Sequence, residues 1–191
     1  MASPASPTRP SATRHSSKGE ATRLALLDSL VDALLADGLG SATLRSLADA
    51  AGTSSRMLAY HFGPRERMVA TALDHLAERA KWGMEAQLGE PRPLPDLMAA
   101  LDSDGMSDSM AIWQEIVAGA ARGDATLREA GHRIAADFLE WFRARLVPAH
   151  RPFAELALAL HDGTAELRAV GHDTHADTAR EALFALLPPA R

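Results

Sequence analysis

The sequence has no cysteine, a single tyrosine and few aromatic residues, 5% of its length. Without thiols there is neither a disulfide framework nor a thiolate metal site. Val and Ile are scarce as well, so the residues that favour strands are missing almost throughout. No run approaches the roughly 20 apolar residues of a membrane helix. The opening stretch, MASPASPTRPSATRHSSKGE, lacks the apolar centre of a secretory signal. Its Ser, Pro and Ala richness is the composition of a disordered arm, and a cytoplasmic location is expected. There is also no phosphate-binding glycine loop, nucleophile elbow or paired catalytic carboxylate, so no enzyme chemistry and no cofactor are expected. His172 and His175 flank Asp173 at a spacing a metal could use, but an exposed helix start explains them as well, and no metal site is expected. DSDGMSD lacks the third ligand and closing Glu of a calcium loop.

What remains is a chain of 191 residues rich in Ala and Leu, long enough to bury a substantial core. The composition predicts an all-α protein of about nine helices. The net charge is −5, unevenly spread: Met1 to Arg67 holds eight Lys/Arg against six Asp/Glu, whereas the remainder holds twelve against nineteen. The amino-terminal part is therefore the part that could approach a polyanion.

Periodicity sets out the elements. Leu24, Leu27, Val31, Leu34 and Leu35 share one face of a helix over 20–37, with Arg23, Asp28 and Asp32 off it. Asp37-Gly38-Leu39-Gly40 ends it, because glycine readily takes the left-handed conformation there. Thr43 is placed to cap a short helix to Ala51 whose inner stripe is Leu44, Leu47, Ala48 and Ala51. Gly52 is the turn. Ser54 caps a third helix to Phe62, with Leu58 and Phe62 facing inward. Gly63-Pro64 opens a fourth helix reaching about Gln87, with Met68, Ala72, His75, Leu76 and Arg79 along one side. GEPRPLP breaks the chain, and further helices are predicted over 94–101, 106–122, 125–146, 151–170 and 175–187.

Two helices that cross steeply need a small residue at the crossing, a permissive turn residue and an apolar anchor in the second helix. Ala48, Gly52 and Leu58 supply these at helix-turn-helix spacing, and Ser54, Ser55 and Arg56 lead the outward side of the second helix, where a recognition helix meets base edges. An ordinary helical hairpin fits the spacing too. The longer stretch TLRSLADAAGTSSRMLAYHFGPRERMVATAL, preceded by GLGSA, resembles the DNA-binding region of the TetR family of bacterial transcriptional regulators, over about Glu20 to Leu73. Gly52, Ser54, Leu58, Tyr60, His61 and Phe62 match the family pattern, and Arg65 stands where Lys is usual. Thr53, Ala59 and Pro64 depart from it, in place of Val, an aromatic residue and Ser.

The resemblance implies three parts: a disordered arm (1–19), a three-helix DNA-binding domain (20–66) and a helical-bundle domain for effector binding and dimerisation (67–191). It implies that Ser55 and Arg56 enter the major groove, and that Thr43, Ser54, Tyr60, His61 and Arg65 meet phosphates; surface packing is the competing role for Tyr60 and core packing for His61. In the bundle, methionines and tryptophans suit an apolar or aromatic effector, with Met110, Trp113, Gln114, His132, Phe138 and Trp141 as candidate lining; plain core is the alternative. The last two helices would pair with their copies in a homodimer through Leu156, Leu160, Leu167, Ala179, Leu183 and Leu186. The expected activity is that of a homodimeric, ligand-responsive repressor on a palindromic double-stranded DNA operator, released by a small, largely apolar effector, with no membrane partner. The alternative is an architectural or cell-division factor on the same scaffold without an effector.

Overall fold

The computed structural model describes residues 12–190. Among these the chain forms nine α-helices: α1 (Ala12–Asp37), α2 (Leu44–Ala50), α3 (Ser55–Phe62), α4 (Arg65–Leu88), α5 (Leu94–Leu101), α6 (Asp104–Ala121), α7 (Ala125–Ala144), α8 (Ala154–Ala169) and α9 (Asp173–Ala185). A 3-10 turn, Pro148–Phe153, precedes α8, and a single β-bridge joins Arg92 to Leu146. The all-α expectation holds. Several boundaries move. α1 begins at Ala12, so part of the stretch expected to be a disordered arm is helical; Arg9 lies outside the described residues. Pro64 is the N-cap of α4 rather than its first helical residue, and α8 starts after the 3-10 turn instead of at Arg151.

Two apolar cores organise the helices. The first gathers Leu27, Leu30, Val31 and Leu34 of α1, Leu47 and Ala48 of α2, Leu58 and Phe62 of α3, and Met68, Val69, Ala72, Leu73 and Leu76 of α4, with Ile112, Ile116 and Ala130 closing it from α6 and α7. The second is built from Met84 and Leu88 at the far end of α4, the apolar face of α5, Phe142, Leu146, Ala154, Ala157 and Leu183. α4 belongs to both. Side chains that the apolar stripes leave outside tie the helices together at the rim. His75 Nε2 lies 2.7 Å from Asp28 Oδ1, and Arg79 donates to Asp32 at 2.9 Å, joining α4 to α1. Arg133 of α7 donates to Asp74 of α4 at 3.1 Å. At the carboxyl end the buried His150 ring accepts the Leu94 N–H at Nδ1, 2.9 Å away, and its Nε2 lies 2.9 Å from the Pro188 carbonyl. An acceptor at Nδ1 and a carbonyl facing Nε2 fix the proton on Nε2.

The link between the amino-terminal helices and the bundle is most specific where α1 ends. Gly38 has φ +75°, and a Cβ built on it would lie 2.7 Å from Glu115 Oε1 of α6. The other carboxylate oxygen of Glu115 accepts the Leu39 N–H at 2.9 Å. A carboxylate on a backbone N–H is a charge-assisted bond, and glycine is the residue that permits both the dihedral and the approach. Gly38→Ala is expected to cost about 1–3 kcal/mol, from the left-handed dihedral and the displaced carboxylate. Chemical denaturation checks this: an unchanged midpoint and slope would mean the contact contributes nothing.

Candidate nucleic-acid interface and bundle cavity

α2 and α3 meet around Gly52, whose φ of +59° the turn requires. Thr43 caps α2 through a reciprocal pair: its hydroxyl accepts from Ser46 N at 3.0 Å, while the Ser46 hydroxyl accepts the Thr43 N–H at 3.0 Å. Ser54 caps α3 by accepting from Met57 N at 3.2 Å. Leu58 and Phe62 are fully buried and pin α3 to α1 and α2, each contributing roughly 1.5–3 kcal/mol by area removed from water. The guanidinium of Arg23 lies 5.0 Å over the Phe62 ring and covers its outer side.

That anchoring turns Arg56, Ala59 and Tyr60 outward, one helical turn apart. Arg56 is exposed and makes no hydrogen bond or ion pair with any described residue, and Tyr60 is 80% exposed. Both Ser55 and His61 are half-buried; the His61 ring packs edge-on against Tyr60 with centroids 5.2 Å apart. Thr43 and Ser54 use their oxygens as helix caps, and a capping hydroxyl keeps its O–H to donate elsewhere only where no neighbour takes it. In Thr43 that proton points to Ser46 Oγ at 3.0 Å. Arg65 differs from expectation: its Nε–H donates to the Ala42 carbonyl, so part of the guanidinium ties α4 to the loop before α2. Its terminal nitrogens make no bond to described residues.

In the bundle, α4, α6, α7 and α8, with Leu101 of α5, line a cavity of about 160 Å³ that opens to solvent. Its walls are mostly apolar, from Leu76 and Ala80 of α4, Met110 and Ile116 of α6, and Phe138 of α7. Of the six residues expected to line an effector site, Met110, Trp113 and Phe138 do so. The other three do not. Gln114, half-buried on α6, is not part of the wall, and His132 is exposed on α7. The Trp141 indole instead donates to Glu85 Oε1 at 2.9 Å. Glu85 also receives Arg145, and these two hydrogen bonds hold its carboxyl below the ordinary carboxylate range.

The polar part of the cavity is one that the periodicity did not single out: His161 and Asp162 on α8, with Ser109 on α6. The Trp113 indole donates to Asp162 Oδ2 at 3.1 Å. Burial pushes the Asp162 carboxyl up from its ordinary pKa, against the Trp113 hydrogen bond, and the nearby Glu166 pushes the same way. His161 is buried and its Nδ1 has no hydrogen-bond partner, with Asp102 Oδ1 3.7 Å away. Burial lowers its pKa despite the pull of Asp102, and the nearby Arg180 and Arg168 push the same way, which disfavours the charged imidazole. A trace of this site was present in the sequence: His161-Asp162 interrupts an otherwise Ala- and Leu-rich helix, AELALALHDGTAEL.

Along α8 and α9 the expected pairing residues divide. Leu156 and Leu186 are exposed, while Leu160, Leu167 and Ala179 are half-buried. Leu183 is a correction: it is 3% exposed and belongs to the second core, so it faces inward. Val170, which is 71% exposed, lies on the outward side of the same helix pair.

No family model and no curated protein matches the sequence. Solved structures do match, and the arrangement of three amino-terminal helices on a long-helix bundle is the fold of TetR-family transcriptional regulators. A protein assigned to that family from Rhodococcus sp. is 22% identical at a TM-score of 0.68, the match covering 87% of this chain and 96% of the other. One assigned as a transcriptional regulator from Saccharomonospora viridis, in complex with choline, is 16% identical at a TM-score of 0.64, covering 87% and 95%. The transcriptional regulator FadR from Bacillus subtilis, in complex with stearoyl-CoA, is 14% identical at a TM-score of 0.59, covering 84% and 96%.

The caps give a direct test of how the candidate interface is built. Thr43→Ala removes the reciprocal cap of α2 and is expected to cost about 1 kcal/mol, read as a fall in the thermal midpoint of the helical circular-dichroism signal. An unshifted midpoint would show that α2 is held by packing alone.

Proposed function

We propose that this chain is a ligand-responsive DNA-binding regulator that acts as a homodimer in the cytoplasm and carries out no chemistry of its own. The observation that carries this is the outward face of α3. Arg56 is exposed with no partner among the described residues and Tyr60 stands beside it, on a helix fixed from behind by Leu58 and Phe62. An uncommitted guanidinium on a rigid rod matches what base readout needs: it can pair with both acceptors of a guanine edge. Tyr60, Ser54, His61 and the free end of Arg65 would fix the rod against phosphates, which sets register without reading sequence. The exposed Leu156, Val170 and Leu186 support pairing of α8 and α9 with their copies. A two-fold dimer would present two such rods to successive major grooves, about 34–36 Å apart.

The route from cavity to DNA follows from which helices are shared. α4 lines the cavity through Leu76 and Ala80 and carries the hydrogen bonds of His75 to Asp28 and of Arg79 to Asp32. α6 lines it through Met110 and Trp113 and holds the end of α1 through Glu115. A ligand that fits one position of these helices better than the other shifts the population of head orientations. A coupling of about 1–3 kcal/mol is enough for regulation. Two of the structural neighbours named above are complexes with small molecules, choline and stearoyl-CoA, which supports a ligand-binding role. Repression, with release on effector binding, is the sense we propose.

Selection of bound sequences from a random DNA pool is expected to return a two-fold half-site pattern. In gel shifts on that site and its single-base variants, Arg56→Ala is expected to lose about 1–3 kcal/mol of discrimination at one position of each half. Tyr60→Phe is expected to weaken all the DNAs alike. Unchanged base preference in Arg56→Ala would remove the readout role of α3.

A further inference from the structure

Among the seventeen described residues that line the cavity there is one carboxylate, one imidazole and neither Lys nor Arg. Asp162 contributes the one carboxylate among these described lining residues, with Oδ2 occupied by the Trp113 indole and Oδ1 making no hydrogen bond to any described residue. Glu166, one turn further along α8, adds negative charge on the same side. Two arginines act on His161 and both pair with other carboxylates, Arg168 with Asp177 of α9 at 2.5 Å and Arg180 with Asp102, although the buried Arg180 Nε makes no hydrogen bond. His161, beside Asp162, has an imidazole whose charged form burial disfavours.

From this geometry we infer that the cavity selects a small organic cation, an amine on a single apolar ring, with its ammonium on Asp162 Oδ1 and its ring among Leu76, Met110, Trp113, Ile116 and Phe138. This rests on the cavity being the effector site. The size argument is direct: an engineered apolar cavity of roughly 150 Å³ takes up benzene, and this one is of the same order, about 160 Å³. The charge argument is a matter of desolvation. An anionic ligand would enter an apolar space with a carboxylate already in it and no cation to meet it, which is costly. An ammonium meets a carboxylate that burial has left short of solvent, and gains a charge-assisted hydrogen bond together with the aromatic faces of Trp113 and Phe138. His161, with its unpartnered Nδ1, and the Ser109 hydroxyl remain for a second polar group on the ligand.

Three probes of one shape and different charge separate the possibilities: benzylamine, benzyl alcohol and benzoate, titrated calorimetrically into the full chain at neutral pH. The expected order is benzylamine at least about tenfold tighter than benzyl alcohol, with benzoate weakest. In Asp162→Asn, which keeps an oxygen for the Trp113 indole, the preference for the amine over the alcohol is expected to vanish while alcohol binding stays within about twofold. Equal affinity for amine and alcohol in the wild type overturns the charge selection, and that series decides without any variant. An amine preference that survives in folded Asp162→Asn overturns the role of Asp162. Binding of the alcohol alone would leave the cavity a ligand site of another class. No binding of any probe overturns the inference and the effector reading of the cavity together, whereas DNA recognition is judged separately by the gel shifts on α3.

Discussion

α4 has to satisfy two cores with one run of 24 residues. Its first half supplies Met68, Val69, Ala72, Leu73 and Leu76 to the core shared with α1, α2 and α3. Its last turns supply Met84 and Leu88 to the core built on α5, α8 and α9. Between them, Leu76 and Ala80 face the cavity. The position of α3, which packs on α4, is tied through that shared helix to the residues that face the cavity. The His75–Asp28 hydrogen bond and the Arg79–Asp32 ion pair tie α4 to α1.

Charge is distributed to match. On the candidate DNA face, Arg56 has no partner among the described residues in an otherwise acidic chain and is available to a polyanion. Within the bundle the sign is inverted: a half-buried carboxylate, Asp162, stands in a mostly apolar wall. Leaving a charge unpaired costs little at the exposed surface and more where burial is partial. Asp162, held among the described residues by one indole, is thus the more informative of the two.

Much of the architecture was legible because it rests on periodicity and caps. Leu58 and Phe62 read as inward positions from spacing alone, and they are buried; Gly52 read as the turn, and its dihedral demands glycine. Thr43 and Ser54 read as caps and are caps. What could not be read were pairings between distant segments. Asp28 and Asp32 look like solvent-facing positions on α1 until α4 brings His75 and Arg79 to them, 47 residues away. Trp141 has the composition of a pocket residue, but its N–H finds Glu85, 56 residues earlier, and leaves the cavity. Leu183 looked like one more residue of an outer stripe, yet the same stripe also faces α8, and burial against the chain's own core won. Polar cavity residues were missed for the same reason. His161 and Asp162 interrupt an apolar helix, and only its neighbours decide whether that break faces bulk solvent or a cavity.

The Glu115 contact with Gly38 and Leu39 crosses between the amino-terminal three-helix unit and the bundle, using a side chain from one and bare backbone from the other. Such a joint is not carried by either unit alone. Grafting residues 12–64 onto an unrelated bundle would leave the Leu39 N–H without its acceptor, and leave a glycine with no reason to be there. The two halves are consequently matched components, and exchange between relatives has to carry an acid at the corresponding turn of α6 along with the head.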